Sequence, residues 1–133
     1  MPEAYEQENP LQPLQEITEA LSSGQFVHVR RLLAKTAPSD TALLLESSPH
    51  KTRFKLWSLV DPDVQGDVLE ELSEDVRLSI IARMEPVHIA AATEDMDDDD
   101  LGEVLRSLPE PVYKDVIEAM DSQDRDRAAT ALS

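Results

Sequence analysis

DPDVQGDVLEELSEDVRLSIIARM, residues 61–84, returns 36 residues later as DDDDLGEVLRSLPEPVYKDVIEAM, residues 97–120. Aligned without a gap, the copies agree at Asp61/Asp97, Asp63/Asp99, Gly66/Gly102, Val68/Val104, Leu69/Leu105, Leu72/Leu108, Glu74/Glu110, Val76/Val112, Ile81/Ile117 and Met84/Met120, 10 of 24 positions. Self-similarity at a fixed period of roughly 20–50 residues marks stacked-repeat architectures. A finer period lies inside it. Cut every 12 residues from Pro13, the chain falls into ten units ending at Leu132, with no insertion.

The eighth and ninth positions of the units are apolar or nearly so: Ala20/Leu21, Leu32/Leu33, Leu44/Leu45, Leu56/Trp57, Val68/Leu69, Ile80/Ile81, Ala92/Thr93, Val104/Leu105, Val116/Ile117 and Ala128/Ala129. The fourth or fifth is commonly apolar as well (Val64, Val76, Ile89, Leu101, Val112), and the twelfth is often Leu or Met. Spacings of three and four describe one buried helical face, and strand-like alternation is absent. Asp61, Ser73, Asp97 and Asp121 stand where they can cap a helix, and Pro62 and Pro86 where a first helical residue tolerates proline. Each unit predicts a helix of about eight or nine residues, below the ~12–15 that an isolated helix needs in water. Stability must therefore come from packing unit on unit. The expectation is an all-α superhelix of about ten short helices, with three helices per 36-residue super-repeat. Trp57 falls on the apolar ninth position and is expected in the core. Residues 1–12, MPEAYEQENPLQ, are polar with nothing periodic to bury and predict a flexible arm, leaving 13–133 as the domain.

The formal net charge of −16 argues against nucleic acid, whose binding rests on Lys and Arg neutralising phosphates. It points to cations or a basic partner. The charge is uneven: residues 25–60 carry six basic and two acidic side chains, whereas 61–133 carry six basic and 21 acidic. No apolar run approaches the roughly 20 residues of a membrane span, and the acidic start gives no expectation of a signal peptide. With no cysteine, disulfides and thiolate sites are excluded. His28, His50 and His88 show no paired spacing for zinc, the serines lack a nucleophile-elbow context, and three glycines form no phosphate-binding loop, so nothing suggests an enzyme.

Glu94, Asp95 and Asp97 to Asp100 put six carboxylates into seven residues. An EF-hand does not fit, since counting from Asp95 the sixth loop position is Asp100 and the twelfth Arg106. Two readings remain: a solvated linker whose Asp97 caps the next helix, or an oxygen-rich cation site. Asp99 and Glu103, four apart, share a helix face, and Asp67 is the super-repeat equivalent of Glu103, so the three form an acidic stripe. Mg²⁺ keeps several waters and uses one or two carboxylates directly, so a weak site completed by another surface is chemically reasonable. Mere solubilisation of an exposed face accounts for Asp67 and Glu103 equally well.

The units DPDVQGDVLEEL and DDDDLGEVLRSL and the phrase APSDTALLLESS resemble the cytosolic N-terminal domain of MgtE-type magnesium transporters, over about residues 25–132. A related superhelical domain occurs in a flagellar motor-switch protein, but the acidic excess and the D-x-D-x-x-G-[DE] phrase look more like MgtE. The resemblance implies a right-handed superhelix at the cytoplasmic face of the bacterial inner membrane. In the full polypeptide it implies a pair of CBS domains, a connecting helix, a transmembrane Mg²⁺ pore and a homodimer. In such proteins Mg²⁺ between the N-terminal and CBS domains holds the pore closed. Carried over residue by residue, the metal ligands fall on Asp67, Asp99 and Glu103, as a weak Mg²⁺ site shared with the CBS domains. A helical-repeat scaffold binding a basic protein, like a motor-switch domain, is the alternative from the residues alone.

Overall fold

The computed structural model describes residues 12–133. Among them lie ten α-helices and no strand: α1 (Gln12–Ser22), α2 (Phe26–Ala34), α3 (Pro38–Ser47), α4 (His50–Leu59), α5 (Pro62–Glu71), α6 (Glu74–Ile81), α7 (Pro86–Ala92), α8 (Asp98–Ser107), α9 (Glu110–Ala119) and α10 (Ser122–Leu132). From α3 onward every helix begins 12 residues after the one before. The all-α expectation and the 12-residue unit are both realised. The arm expected over 1–12 lies outside the described residues except for Gln12, which opens α1. No helix among the described residues is long and apolar enough to cross a membrane.

The unit boundary has a local cause. Its first residue takes extended backbone, as at Ala37, Ser73, Glu85, Asp97 and Asp121, and the next opens a helix. Asp97 and Asp121 cap with their side chains, accepting the N–H of Asp100 at 2.9 Å and of Asp124 at 2.8 Å. Either bond satisfies one of the orphan donors of a first helical turn. Ser73 holds the cap position of α6 without a side-chain cap bond. Pro38, Pro62 and Pro86 are first helical residues, where the missing N–H costs nothing.

The chain divides into two compact units, one ending at Asp61 and the other spanning Pro62–Ser133. In the first, α1 packs on α2, and α4 on both α2 and α3. In the second, the closest packing joins α5 with α7, α7 with α9, and α8 with α10. Close neighbours in this unit are therefore helices two units apart, not the three-unit echo of the sequence. The eighth and ninth positions are buried in most units, Trp57 among them, as the pattern predicts.

The fourth position departs from expectation. Val64 is 37% exposed, and Val76 and Val112 are half-buried, whereas the fifth position holds Ile17, Val29, Ile89 and Leu101 in the core. The fifth residue lies three and four before the eighth and ninth, and so shares their face. The inward row is thus five, eight, nine and twelve, and in one unit its fifth place is taken by the buried Arg77.

Candidate functional site

Among the described residues, carboxylates converge where the end of α5 meets the start of α8. Glu70, in the last turn of α5, accepts the backbone N–H of Asp97 on Oε2 at 3.1 Å. Asp97 in turn holds the N–H of Asp100. One carboxylate oxygen from each of Glu70, Asp97 and Asp100 lies within 4.8 Å of the other two. Arg127 of α10 steadies the segment leading into α8, donating to the carbonyls of Glu94 at 2.8 Å and Met96 at 2.5 Å. Its Nε also stands 3.5 Å from Oδ1 of the exposed Asp98, a pair of little energetic consequence.

Behind this group sits Arg77 of α6, only 6% exposed. Its Nη1 lies 3.4 Å from Asp100 Oδ1 and its Nη2 donates to Glu103 Oε1 at 2.5 Å. Its Nε is buried with no hydrogen-bond partner. Asp100 therefore faces a cation on one side and two carboxylates on the other.

Burial lifts the Glu70 carboxyl above its ordinary value of 4.5; the Asp97 N–H works the other way, and the charges of Asp100, Asp97 and Asp67 add to the rise. A hard cation has ligand oxygens ~2.0–2.6 Å away, which places opposite ligands ~4–5 Å apart. Three oxygens no more than 4.8 Å apart fit that requirement.

The residues expected from the sequence lie around this group. Asp67 is exposed on α5, close enough for its charge to act on Glu70. Asp99 is exposed in the first turn of α8. Glu103, one turn on, is engaged by Arg77. The trio whose oxygens converge is Glu70, Asp97 and Asp100: the last two belong to the acidic run readable from the sequence as an oxygen-rich cation site, whereas Glu70 stands outside that expectation. The available signal was an arginine on the inward row, because a buried guanidinium demands carboxylate or carbonyl partners.

Residues 36–133 match the family described as the MgtE intracellular N domain. The chain belongs to that family. The match runs through both compact units and takes in α3 to α10. This MgtE N-domain chain is also similar to the crystal structure of the soluble part of a magnesium transporter, with a TM-score of 0.72 at 19% sequence identity. The likeness covers 91% of this chain and 48% of that one, so the chain spans about half the length of the solved protein. At that identity it is a likeness of fold. Among curated proteins there is no match. In this MgtE N domain the acidic group thus sits at the α5–α8 junction, within the matched span.

Proposed function

We propose that the chain is a non-catalytic regulatory module of an MgtE-type magnesium transporter, at the cytoplasmic face of the bacterial membrane. In this reading it senses Mg²⁺ by cation-dependent association with the CBS pair of its own polypeptide, within a homodimer whose membrane part conducts the ion. The observation that carries the reading is the convergence of Glu70, Asp97 and Asp100 on an acidic module whose family is MgtE. Residues 61–133 carry 21 acidic and six basic side chains. An acidic surface meeting another acidic surface is repelled unless cations intervene, and that repulsion is strong within a Debye length of roughly 8–10 Å. The cation would supply positive charge held by Glu70, Asp97 and Asp100, with Asp67, Asp99 and Glu103 extending the face toward the second domain. Ligands split between two surfaces bind well only when these are together, and that differential affinity lets a cation shift a closed–open equilibrium.

The test uses the full-length polypeptide, with limited proteolysis reporting compaction as Mg²⁺ is raised at constant ionic strength. Neutralising Asp67 and Asp99 to alanine, or Glu70, Asp97 and Asp100 to their amides, is expected to abolish Mg²⁺-dependent protection while helical content stays unchanged. Protection that persists in both variants, or that matched sodium chloride reproduces, refutes the reading.

A further inference from the structure

Three units place an arginine at the fifth position: the half-buried Arg53, the buried Arg77 and the exposed Arg125. Two of them perform the same task. Arg53 Nε donates to the carbonyl eight residues back, Leu45, at 2.9 Å, and its Nη2 approaches that of Glu46 at 3.4 Å. Arg125 Nε donates to Ile117 at 3.0 Å and its Nη2 to Glu118 at 3.1 Å. Each closes the last turn of the preceding helix, where carbonyls lack intrahelical partners and carry partial negative charge.

For Arg77 the corresponding carbonyls are Leu69 and Glu70, at the end of α5. The turn there is built alike: Leu69 O accepts the Leu72 N–H at 3.2 Å, as Leu45 O accepts Ser48 at 3.3 Å and Ile117 O accepts Met120 at 3.2 Å. Arg77 nevertheless does not use it. The guanidinium reaches 23 and 26 residues ahead to Asp100 and Glu103 and leaves its Nε buried without a partner. A buried donor left unsatisfied is costly, so this placement is held by the two carboxylates and opposed by the Nε.

We propose that Arg77 is the built-in competitor of the divalent cation. With no cation it neutralises Asp100 and Glu103; a cation arriving among Glu70, Asp97 and Asp100 displaces it onto the carbonyls of Leu69 and Glu70. The inference rests on the reading of the acidic face as a cation sensor. Two positive charges cannot share the Asp100 carboxylate without strong mutual repulsion. Displacement gives the Nε an acceptor and places Arg77 where Arg53 and Arg125 sit in their own units. It also frees Glu103 beside Asp99 on α8, so that carboxylate becomes available to a second surface only when the cation is present. Arg77 thereby sets the threshold, since any cation must first outcompete a side chain already in place.

The experiment follows arginine Nε–Hε signals of the ¹⁵N-labelled 133-residue chain during titration with magnesium chloride at constant ionic strength. The Arg77 signal is expected to shift and its exchange with water to slow, while those of Arg53 and Arg125, already bonded to carbonyls, stay in place. Arg77→Gln is expected to tighten Mg²⁺ binding on the order of tenfold, as read from the amides of Asp97 to Asp100, because one nearby positive charge is gone. Amides that respond to Mg²⁺ while the Arg77 Nε–Hε does not would overturn the proposal, as would a folded Arg77→Gln that binds no tighter. If that variant fails to fold, titration of the native chain decides alone. A chain in which no signal responds at the highest Mg²⁺ concentration sinks this proposal, whereas the sensor reading, whose site a second domain completes, stands or falls by the proteolysis of the full-length polypeptide.

Discussion

Gly66 and Gly102 occupy the same place in the 36-residue echo, yet replacing them with alanine is expected to have different consequences. A Cβ on Gly66 would lie 2.3 Å from the carbonyl oxygen of Ala92, which is backbone of α7 and 0.7 Å inside the 3.0 Å that real Cβ atoms respect. Nothing flexible stands there to yield. α5 and α7 must separate, loosening the contact that buries Val68, Leu69, Ile89 and Ala92. Such overpacking costs about 1–3 kcal/mol, while Gly to Ala inside a helix returns up to about 1 kcal/mol. A clash this deep against backbone takes the upper part of that range, about 2–3 kcal/mol, so the net expectation for Gly66→Ala is a loss of about 1–2 kcal/mol. At Gly102 the Cβ would lie 2.9 Å from Ala131 O, a deficit of only 0.1 Å, and its other near neighbours are the movable Arg106 guanidinium nitrogens. There the two effects nearly cancel, within about 0.5 kcal/mol of zero. Urea unfolding followed by helical circular dichroism measures both. Equal midpoints for the two variants, or a Gly66→Ala chain as stable as the parent, would refute the claim that α5 and α7 meet backbone to backbone.

The pH dependence at Glu70 has a definite sign. A carboxyl raised above 4.5 by folding stabilises the folded chain fully below 4.5, and that contribution is lost as pH climbs through the raised value. Glu70→Gln, which keeps an acceptor for the Asp97 N–H, is therefore expected to be more stable than the parent at pH 7, the advantage shrinking as pH falls toward 4.5; a difference independent of pH would refute this. Arg53→Met removes charge-assisted bonds to the Leu45 and Ser48 carbonyls from a half-buried site and is expected to cost about 1.5–3 kcal/mol. Arg125→Met, at an exposed site, is expected to cost less, about 0.5–1 kcal/mol; thermal unfolding that ranks the two the other way would contradict the capping role.

Much of the fold was legible because its rules are local. The 12-residue unit is written in apolar positions and in boundary residues such as Asp97, Asp121, Pro62 and Pro86, each acting within one turn of itself. What the sequence concealed depends on contacts between distant units. The pairing of α5 with α7 requires two backbones to touch, and Gly66, which permits it, carries no record of its partner Ala92. Glu70 and the Asp97 N–H lie 27 residues apart, and Arg77 and Glu103 lie 26 apart. Asp99 and Glu103 are readable at helical spacing because they share α8, whereas Glu70 joins the acidic group only through tertiary packing.

The acidic group lies where the repeat is broken: Glu70 against Arg106, Glu71 against Ser107 and Asp100 against Val64 each add negative charge, and Arg77 against Tyr113 adds one positive charge. In the super-repeat the place of Glu70 is taken by Arg106, which donates to the Ala131 carbonyl at 3.1 Å. At the end of α5 there is instead a carboxylate at each of the last two helical residues, Glu70 and Glu71, and no basic residue in the last turn. Helix C-termini favour cations and disfavour anions by roughly 0.3–1 kcal/mol per charge, so this end is unfavourable even before Asp97 and Asp100 approach. The arginine that closes the equivalent turns after α3 and α9 is drawn away to α8. The cation proposed above would meet at this junction a carboxylate at a helix C-terminus that no basic residue in the last turn of α5 neutralises.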